Sequence, residues 1–399
     1  MLLLLCAVAA LVGVRFSHSL QGTDFPDFYC AARMLADGQG HQLYNADVQR
    51  QYQARYAGRV GTLYIHPPFE ALLYLAVAWL PLPRAYLLWT LLNLAFLAIA
   101  ACRLTNAALP WNWPILVAAS FTFVPLLLCC IQGQDSLLLL LLIVLAFTDL
   151  RRGRAFAAGC WLALGLFKFQ LILPIVLVPT LTQSKPARNA LAKAFILVAL
   201  ALMALSAAIC GWSIFTAYPK FLAHLPQQAF AGILPQAMAN FRGLTYFFFR
   251  QNHSPWAVAA LLMLSAAALI KTLTDWKRAR LSPQTSSQQS PATSLGEFDL
   301  AFSSTILFAL LVSYHLNPHD LSLCLLPIAL LLHHNLAQRP ALAAAAKWIT
   351  LASLGILFLP PLHLWALRAG SYALVAFPLL ALFLIGVRTP RQGATLHRD

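Results

Sequence analysis

The chain has 399 residues, of which 60% are hydrophobic and 10% charged, with a mean hydropathy of +0.73. Soluble domains carry about 25% charged residues, so this composition excludes a water-soluble fold, and the scarcity of charge excludes disorder. The 27 basic residues outnumber the 12 acidic ones and give a net charge of +15; in so apolar a chain this marks cytoplasmic loops rather than a nucleic-acid partner.

Long apolar runs recur along the whole chain, which predicts an all-α polytopic membrane protein and not a barrel of alternating strands. The opening MLLLLCAVAALVGVRF lacks a basic leader and a small-residue cleavage site, so it reads as a first span, 1–16, rather than a signal peptide. Further spans are expected near 84–102, 113–131, 136–148, 155–168, 169–182, 193–213, 256–273, 300–314, 321–335, 347–362 and 372–387, about twelve in all. The stretch 69–82, flanked by Pro67, Pro68, Pro81 and Pro83, is too short and reads as re-entrant or surface-lying. Most of the basic residues then fall in short loops on one side, which orients both termini inward. Two long loops, 17–83 and 214–255, fall outside, and 274–299 holds a cytoplasmic Ser/Gln/Pro linker. The whole of 1–399 reads as one integral-membrane domain. The eight cysteines form no CxxC pair and read as small packing residues.

Six polar clusters interrupt the apolar pattern. Asp24 and Asp27 follow the first span among Phe25, Phe28, Tyr29 and Tyr44. A carboxylate at an apolar boundary gains proton affinity and can act as a base; the plainer role, favoured for Asp27, is to cap the helix that begins near Phe28. Arg33 either binds a phosphate or pairs with an aspartate. His66-Pro67-Pro68 is a rigid segment suited to a groove wall, and Glu70 follows as an exposed or second acidic group. Gln132-Gly133-Gln134-Asp135 is a polar turn whose Gln134 and Asp135 could bond a sugar.

Lys168 stands in the middle of the apolar run 155–182, in Gly165-Leu166-Phe167-Lys168-Phe169-Gln170. An ionisable group there is costly and functional by default. Both flanking loops are basic, so the run reads as a hairpin with Lys168 at its outer tip, placed to hold a lipid phosphate or to snorkel. Asn240 and Arg242 lie in the second outer loop. Ser313-Tyr314-His315-Leu316-Asn317-Pro318-His319-Asp320 brings two histidines and an aspartate into one turn. That spacing is poor for a metal, and phosphate or sugar binding fits it better. His333 and His334 read as interfacial. Nucleotide and metalloprotease motifs such as GxxxxGK[ST], GxGxxG and HExxH are absent.

Taken in order, these pieces resemble glycosyltransferase family 87. The resemblance runs through Asp24-Phe25, Phe28-Tyr29, Ala31-Ala32-Arg33, Leu43-Tyr44, Pro67-Pro68-Phe69, Leu80-Pro81, Leu91-Leu92-Asn93, Gly133-Gln134, Gly165, Lys168-Phe169-Gln170, Pro174, Asn240, Arg242-Gly243-Leu244 and Ser313-x-His315. It departs at His66, where an aromatic usually precedes Pro-Pro, and in the turn HLNPHD. It implies a GT-C fold with two long extracytoplasmic loops in the cell membrane. The implied reaction moves a mannose-like hexose from a polyprenyl-phosphate donor to a lipid or glycan acceptor. It also implies that Asp24 is the base and that the anomeric centre is inverted. Catalytic roles are expected for Asp24 and His315. Substrate contacts are expected from Asp27, Arg33, Tyr44, His66, Gln134, Lys168, Gln170, Asn240, Arg242 and His319. No metal or other cofactor is expected, the lipid-phosphate sugar being a co-substrate. The rival class, a transporter or flippase of lipid-linked sugar, expects midplane charges and inverted repeats, and no internal repeat is evident.

Overall fold

The computed structural model describes residues 23–225, 234–250, 254–281, 291–337 and 344–385. The expected first span and most of the Ser/Gln/Pro linker lie outside the described residues. All regular structure among the described residues is helical, and the chain divides into two compact bodies.

The first body comprises Met1–Ala107, Trp111–Pro235 and Asn317–Leu323. Its N-terminal part, expected as an outer loop, is itself built of helices: α1 (Phe25–Ala36), α2 (Ala46–Ala57) and α3 (Ala71–Ala78). Asn45 caps α2 by accepting bonds from the Asp47 and Val48 amides, and Gly58 ends it in the left-handed region. An aromatic core fixes α1: Phe28 stacks on Tyr74, ring centroids 4.6 Å apart, and Tyr74 packs on Trp89 at 4.1 Å. Then follow α4 (Leu82–Ala107), α5 (Trp113–Ser120), α6 (Val124–Gln132), α7 (Ser136–Arg151), α8 (Ala155–Leu164), α9 (Phe169–Thr182), α10 (Lys185–Cys210) and α11 (Ile214–His224).

Five helical runs among the described residues, Ala155–Thr182 counted as one of them, are long and apolar enough to cross a membrane by length and composition, and up to seven if two bent pairs each count as one span. That is fewer than the twelve or so segments expected, and the backbone shows why. The expected span 113–131 is broken into α5 and α6, bent by 79° at a turn followed by Pro125, which lacks the amide hydrogen a continuous helix needs. The segment 347–362 is bent by 63° where Pro360 and Pro361 begin a new helix. Others fall short of a full span, α7 with 16 residues and Tyr372–Ile385 among them.

The run Ala155–Thr182 has 28 residues and as a straight helix would be about 42 Å long. Yet Gly153–Ala157 at its start and Ser184–Ala190 just past its end line one cavity of about 650 Å³. The chain therefore turns back, at the 3₁₀ turn Gly165–Lys168. Lys168 is the tip of a hairpin.

The second body comprises Ala108–Pro110, Gln236–Leu316 and Cys324–Asp399. Its helices are α12 (Phe241–Phe249), α13 (Pro255–Leu281), α14 (Pro291–Val312), α15 (Leu325–Leu331), α16 (Ala344–Leu357), α17 (Pro360–Arg368) and α18 (Ala376–Ile385). Polar pairs join α13 to α14: Ser304 donates to Asp275 at 2.7 Å and the Trp276 indole to Thr305 at 2.8 Å. His333 and His334 are both buried in the protein, and His334 lies 3.0 Å from Asp299.

Candidate active site

At one end of the first body the turn between α6 and α7 meets the start of α1. Gly133 ends α6 with φ +64, and a Cβ on it would lie 2.6 Å from Phe25 Cβ. The turn thus passes against α1 where only glycine fits. Its flanking glutamines hold Asp24 at two points. The Asp24 amide donates to Gln132 Oε1 at 2.9 Å, and Gln134 Nε2 donates to Asp24 Oδ2 at 2.7 Å. Gln134 is anchored in turn, its carbonyl accepting from Asn93 Nδ2 at 2.9 Å.

Asp24 occupies the N-cap position of α1 but makes no capping bond; its carboxylate is committed to Gln134. It is half-buried, whereas Asp27, Glu70, Asp135 and Asp320 are buried at 6%, 0%, 0% and 1% exposure. Asp24 is therefore the carboxylate of this group that a second molecule can reach, and no side chain among the described residues donates to its Oδ1. Burial raises its proton affinity. The Gln134 hydrogen bond and the charges of Lys168 and Arg59 oppose that rise only in part.

Asp27 does not cap the helix either. It accepts from Gln53 Nε2 at 2.9 Å and from the Thr62 hydroxyl. Burial pushes its carboxyl up to about 8 despite the Thr62 bond.

Lys168 is 1% exposed. Its Nζ lies 2.6 Å from Asp320 Oδ1 and 3.1 Å from Asp135 Oδ1, and donates to Ser136 Oγ at 2.7 Å and to Gln134 Oε1 at 3.4 Å. Asp320 also accepts from the Asn317 amide at 3.0 Å, and His319 Nε2 stands 3.6 Å from it. Burial works against both carboxylates, but Lys168 outweighs it and holds Asp135 and Asp320 below the usual range. Glu70 is fully buried with His66 Nδ1 at 2.8 Å, so of its two expected roles the exposed one falls and that of a second acidic group stands.

The other expected site residues separate into groups. Tyr44 donates to the His66 carbonyl at 2.6 Å and stacks on Tyr218, so it braces the His66-Pro67-Pro68 segment. Arg33 donates to the Ala78 carbonyl and to the Tyr56 hydroxyl, each at 3.1 Å, and its guanidinium covers the Tyr56 ring; it ties α1 to α2 and α3. Gln170 is half-buried in the first turn of α9. Asn240, Arg242 and His315 belong to the second body. There Asn240 caps α12 and donates to the Ser313 carbonyl at 2.7 Å, while Arg242 donates to the Tyr314 carbonyl and lies 3.9 Å over its ring. These two residues brace the Ser313-Tyr314-His315 segment.

Sequence reasoning did not find Arg59, which donates to the Thr23 carbonyl at 2.6 Å beside Asp24. Nor did it pair Lys168 with Asp135 and Asp320. These partners lie 33 and 152 positions away, and no local pattern connects them.

The profile of glycosyltransferase family 87 matches residues 64–288, more than half of the chain. The chain belongs to glycosyltransferase family 87. No curated protein is similar enough to count as a match. A family 87 member is a membrane glycosyltransferase, and the apolar helices fit that assignment. The matched stretch includes His66, Gln134, Lys168, Asn240 and Arg242; Asp24 precedes it and the histidine turn follows it.

Proposed function

We propose that this membrane glycosyltransferase moves a hexose, mannose-like by the family resemblance, from a polyprenyl-phosphate donor to a lipid or glycan acceptor, with inversion. Asp24 takes the proton of the acceptor hydroxyl as that oxygen attacks the anomeric carbon, and the lipid phosphate departs. The observation that carries this reading is the contrast within the acidic group: Asp24 is reachable, held among the described residues by Gln134 at one carboxylate oxygen, and raised in proton affinity by burial. A base needs all three properties. Arg59 is the half-buried cation nearest to this edge of α1, and we assign it the developing charge of the leaving phosphate.

The reading places the site on the extracytoplasmic face of a cell membrane, with both termini inside and about twelve spans, several of them short. Charge supports that side. Arg151 ends α7, Arg152 and Arg154 follow it, and Lys185 and Arg188 begin α10, all at the end of the body opposite to Ser136 and Lys168.

The test is Asp24→Asn in purified protein, assayed with a polyprenyl-phosphate mannose donor and membrane lipid extract. Transfer is expected to fall by at least about a hundredfold, the low end for loss of a general base, with unchanged expression and thermal unfolding. Retained turnover overturns the assignment.

A further inference from the structure

Lys168 is the conspicuous charge of the sequence, and the structure closes it off. Its ammonium has two carboxylates, a hydroxyl and an amide oxygen around it, and its side chain is 2% exposed. A cation so enclosed takes no phosphate without first giving up a carboxylate. What it does reach is Gln134. A side-chain amide has two ends of nearly the same shape, one accepting and one donating. Turned over, Gln134 would set its oxygen against the Asp24 carboxylate. Lys168 can only donate, so its presence at Oε1 leaves Nε2 for Asp24. Asn93 meanwhile fixes the Gln134 main chain.

We infer that Lys168 is a positioning residue for the proposed transfer: locked between Asp135 and Asp320, it orients the Gln134 amide so that an N–H always faces Asp24. The inference rests on the reading of Asp24 as the base. It gives the lysine a task that needs no contact with substrate.

The groups that face Asp24 are known from every element around it. Asp27 lies on its own helix, Arg59 follows α2, Tyr74 lies on α3, Gln134 on the turn, Lys168 at the hairpin tip and Asp320 on the last segment of the body. Of these, Gln134, Lys168 and Arg59 favour the charged carboxylate, and Asp320 and burial oppose it. Breaking the Lys168–Gln134 link therefore makes Asp24 harder to ionise. Lys168 also acts on Asp24 through its own charge, so Gln134→Leu, which keeps that charge, isolates the hydrogen-bond link.

The experiment is carbodiimide modification of full-length protein in detergent as a function of pH, read by peptide mass spectrometry. A hydrophobic carbodiimide modifies protonated carboxyl groups, so the midpoint reports Asp24 without any donor or acceptor. In Gln134→Leu and Lys168→Gln the Asp24 midpoint is expected to move to higher pH by about one unit, tenfold in proton affinity. Asp27, held by Gln53 and Thr62 instead, is the internal reference and is expected to move much less. Gln134→Leu leaves the Lys168 ion pairs intact, so it remains informative if Lys168→Gln does not fold. An unmoved Asp24 midpoint in folded Gln134→Leu overturns the inference. So does a shift in Gln134→Leu with none in folded Lys168→Gln. Because the readout needs no turnover, it stands apart from the Asp24→Asn assay: active Asp24→Asn sinks the base, whereas an inactive Asp24→Asn with an unmoved midpoint sinks only the role of Lys168.

Discussion

Asp24 and Asp27 are three residues apart on one helix, and their surroundings give them opposite uses. Asp27 is sealed by Gln53 and Thr62 and pushed up to about 8 by burial, so at neutral pH it is mostly a protonated, hydrogen-bonded strut between α1 and α2. The sign of its linkage to stability follows. An aspartate in the unfolded chain ionises near 3.8, while in the folded protein the proton stays on until about 8. The folded state binds the extra proton between these values, so the stabilisation is full below the lower one and is lost as pH rises through the upper one. Asp27→Asn can keep both contacts, its oxygen accepting from Gln53 and its amide donating to Thr62, without ever ionising. The thermal unfolding midpoint of the wild-type protein is expected to fall by several degrees more than that of Asp27→Asn across this pH interval. Equal pH slopes for the two proteins would show that Asp27 is not the titrating strut.

At the scale of elements, the four-residue turn from Gln132 to Asp135 organises the site. One glutamine takes the Asp24 amide, the other takes its carboxylate, and Asp135 takes Lys168. All three depend on Gly133, which combines a left-handed backbone with a Cβ position 2.6 Å from Phe25 Cβ and 2.8 Å from its ring. Gly153 offers a natural comparison, with φ +74 and nothing within 4 Å of its Cβ position. Gly153→Ala is expected to cost about 1 kcal/mol, the backbone penalty alone. Gly133→Ala adds overpacking of about 1–3 kcal/mol and is expected to lose transfer activity beyond what its stability loss explains. Equal unfolding shifts for the two variants would show that the turn is not pressed on α1. Much of this element was legible in advance. A polar tetrapeptide between apolar runs announces a turn, and a lysine amid 28 apolar residues announces a hairpin tip or a site. The pairing was not legible, because a lysine and aspartates 33 and 152 positions away share no period or spacing. The α1–α3 assembly was read as loop because Pro67, Pro68, Pro81 and Pro83 break the apolar run that a span would need. Its aromatic residues supply a core for short helices instead.

For the whole molecule, the first body has a chemical polarity that the hairpin makes unambiguous. Helix α7 runs from Ser136, in the Lys168 cluster, to Arg151, and its 16 residues span about 24 Å. Helix α8 runs back from Ala155 toward Lys168, and α9 returns to the cavity shared by Arg154 and Ser184. Asp24, Gln134, Asp135 and Asp320 therefore lie at the Ser136 end of these helices, and Arg151, Arg152, Arg154, Lys185 and Arg188 at the other. Residues that stay in the cytoplasm during insertion are enriched in Lys and Arg, so the proposed orientation has the basic end inside and Asp24 outside. Two exposed positions report the two ends. Asp47, whose side chain is 83% exposed, sits on α2 with the acidic end, and exposed Arg152 sits just past α7. In a background with the eight native cysteines replaced, Asp47→Cys is expected to react with a membrane-impermeant maleimide in intact cells. Arg152→Cys is expected to react only after permeabilisation. The opposite pattern would put Asp24 on the cytoplasmic face and rule out a donor approached from outside. Labelling of both in intact cells would mean that α7 does not separate the two compartments, and the charge argument would fail with it.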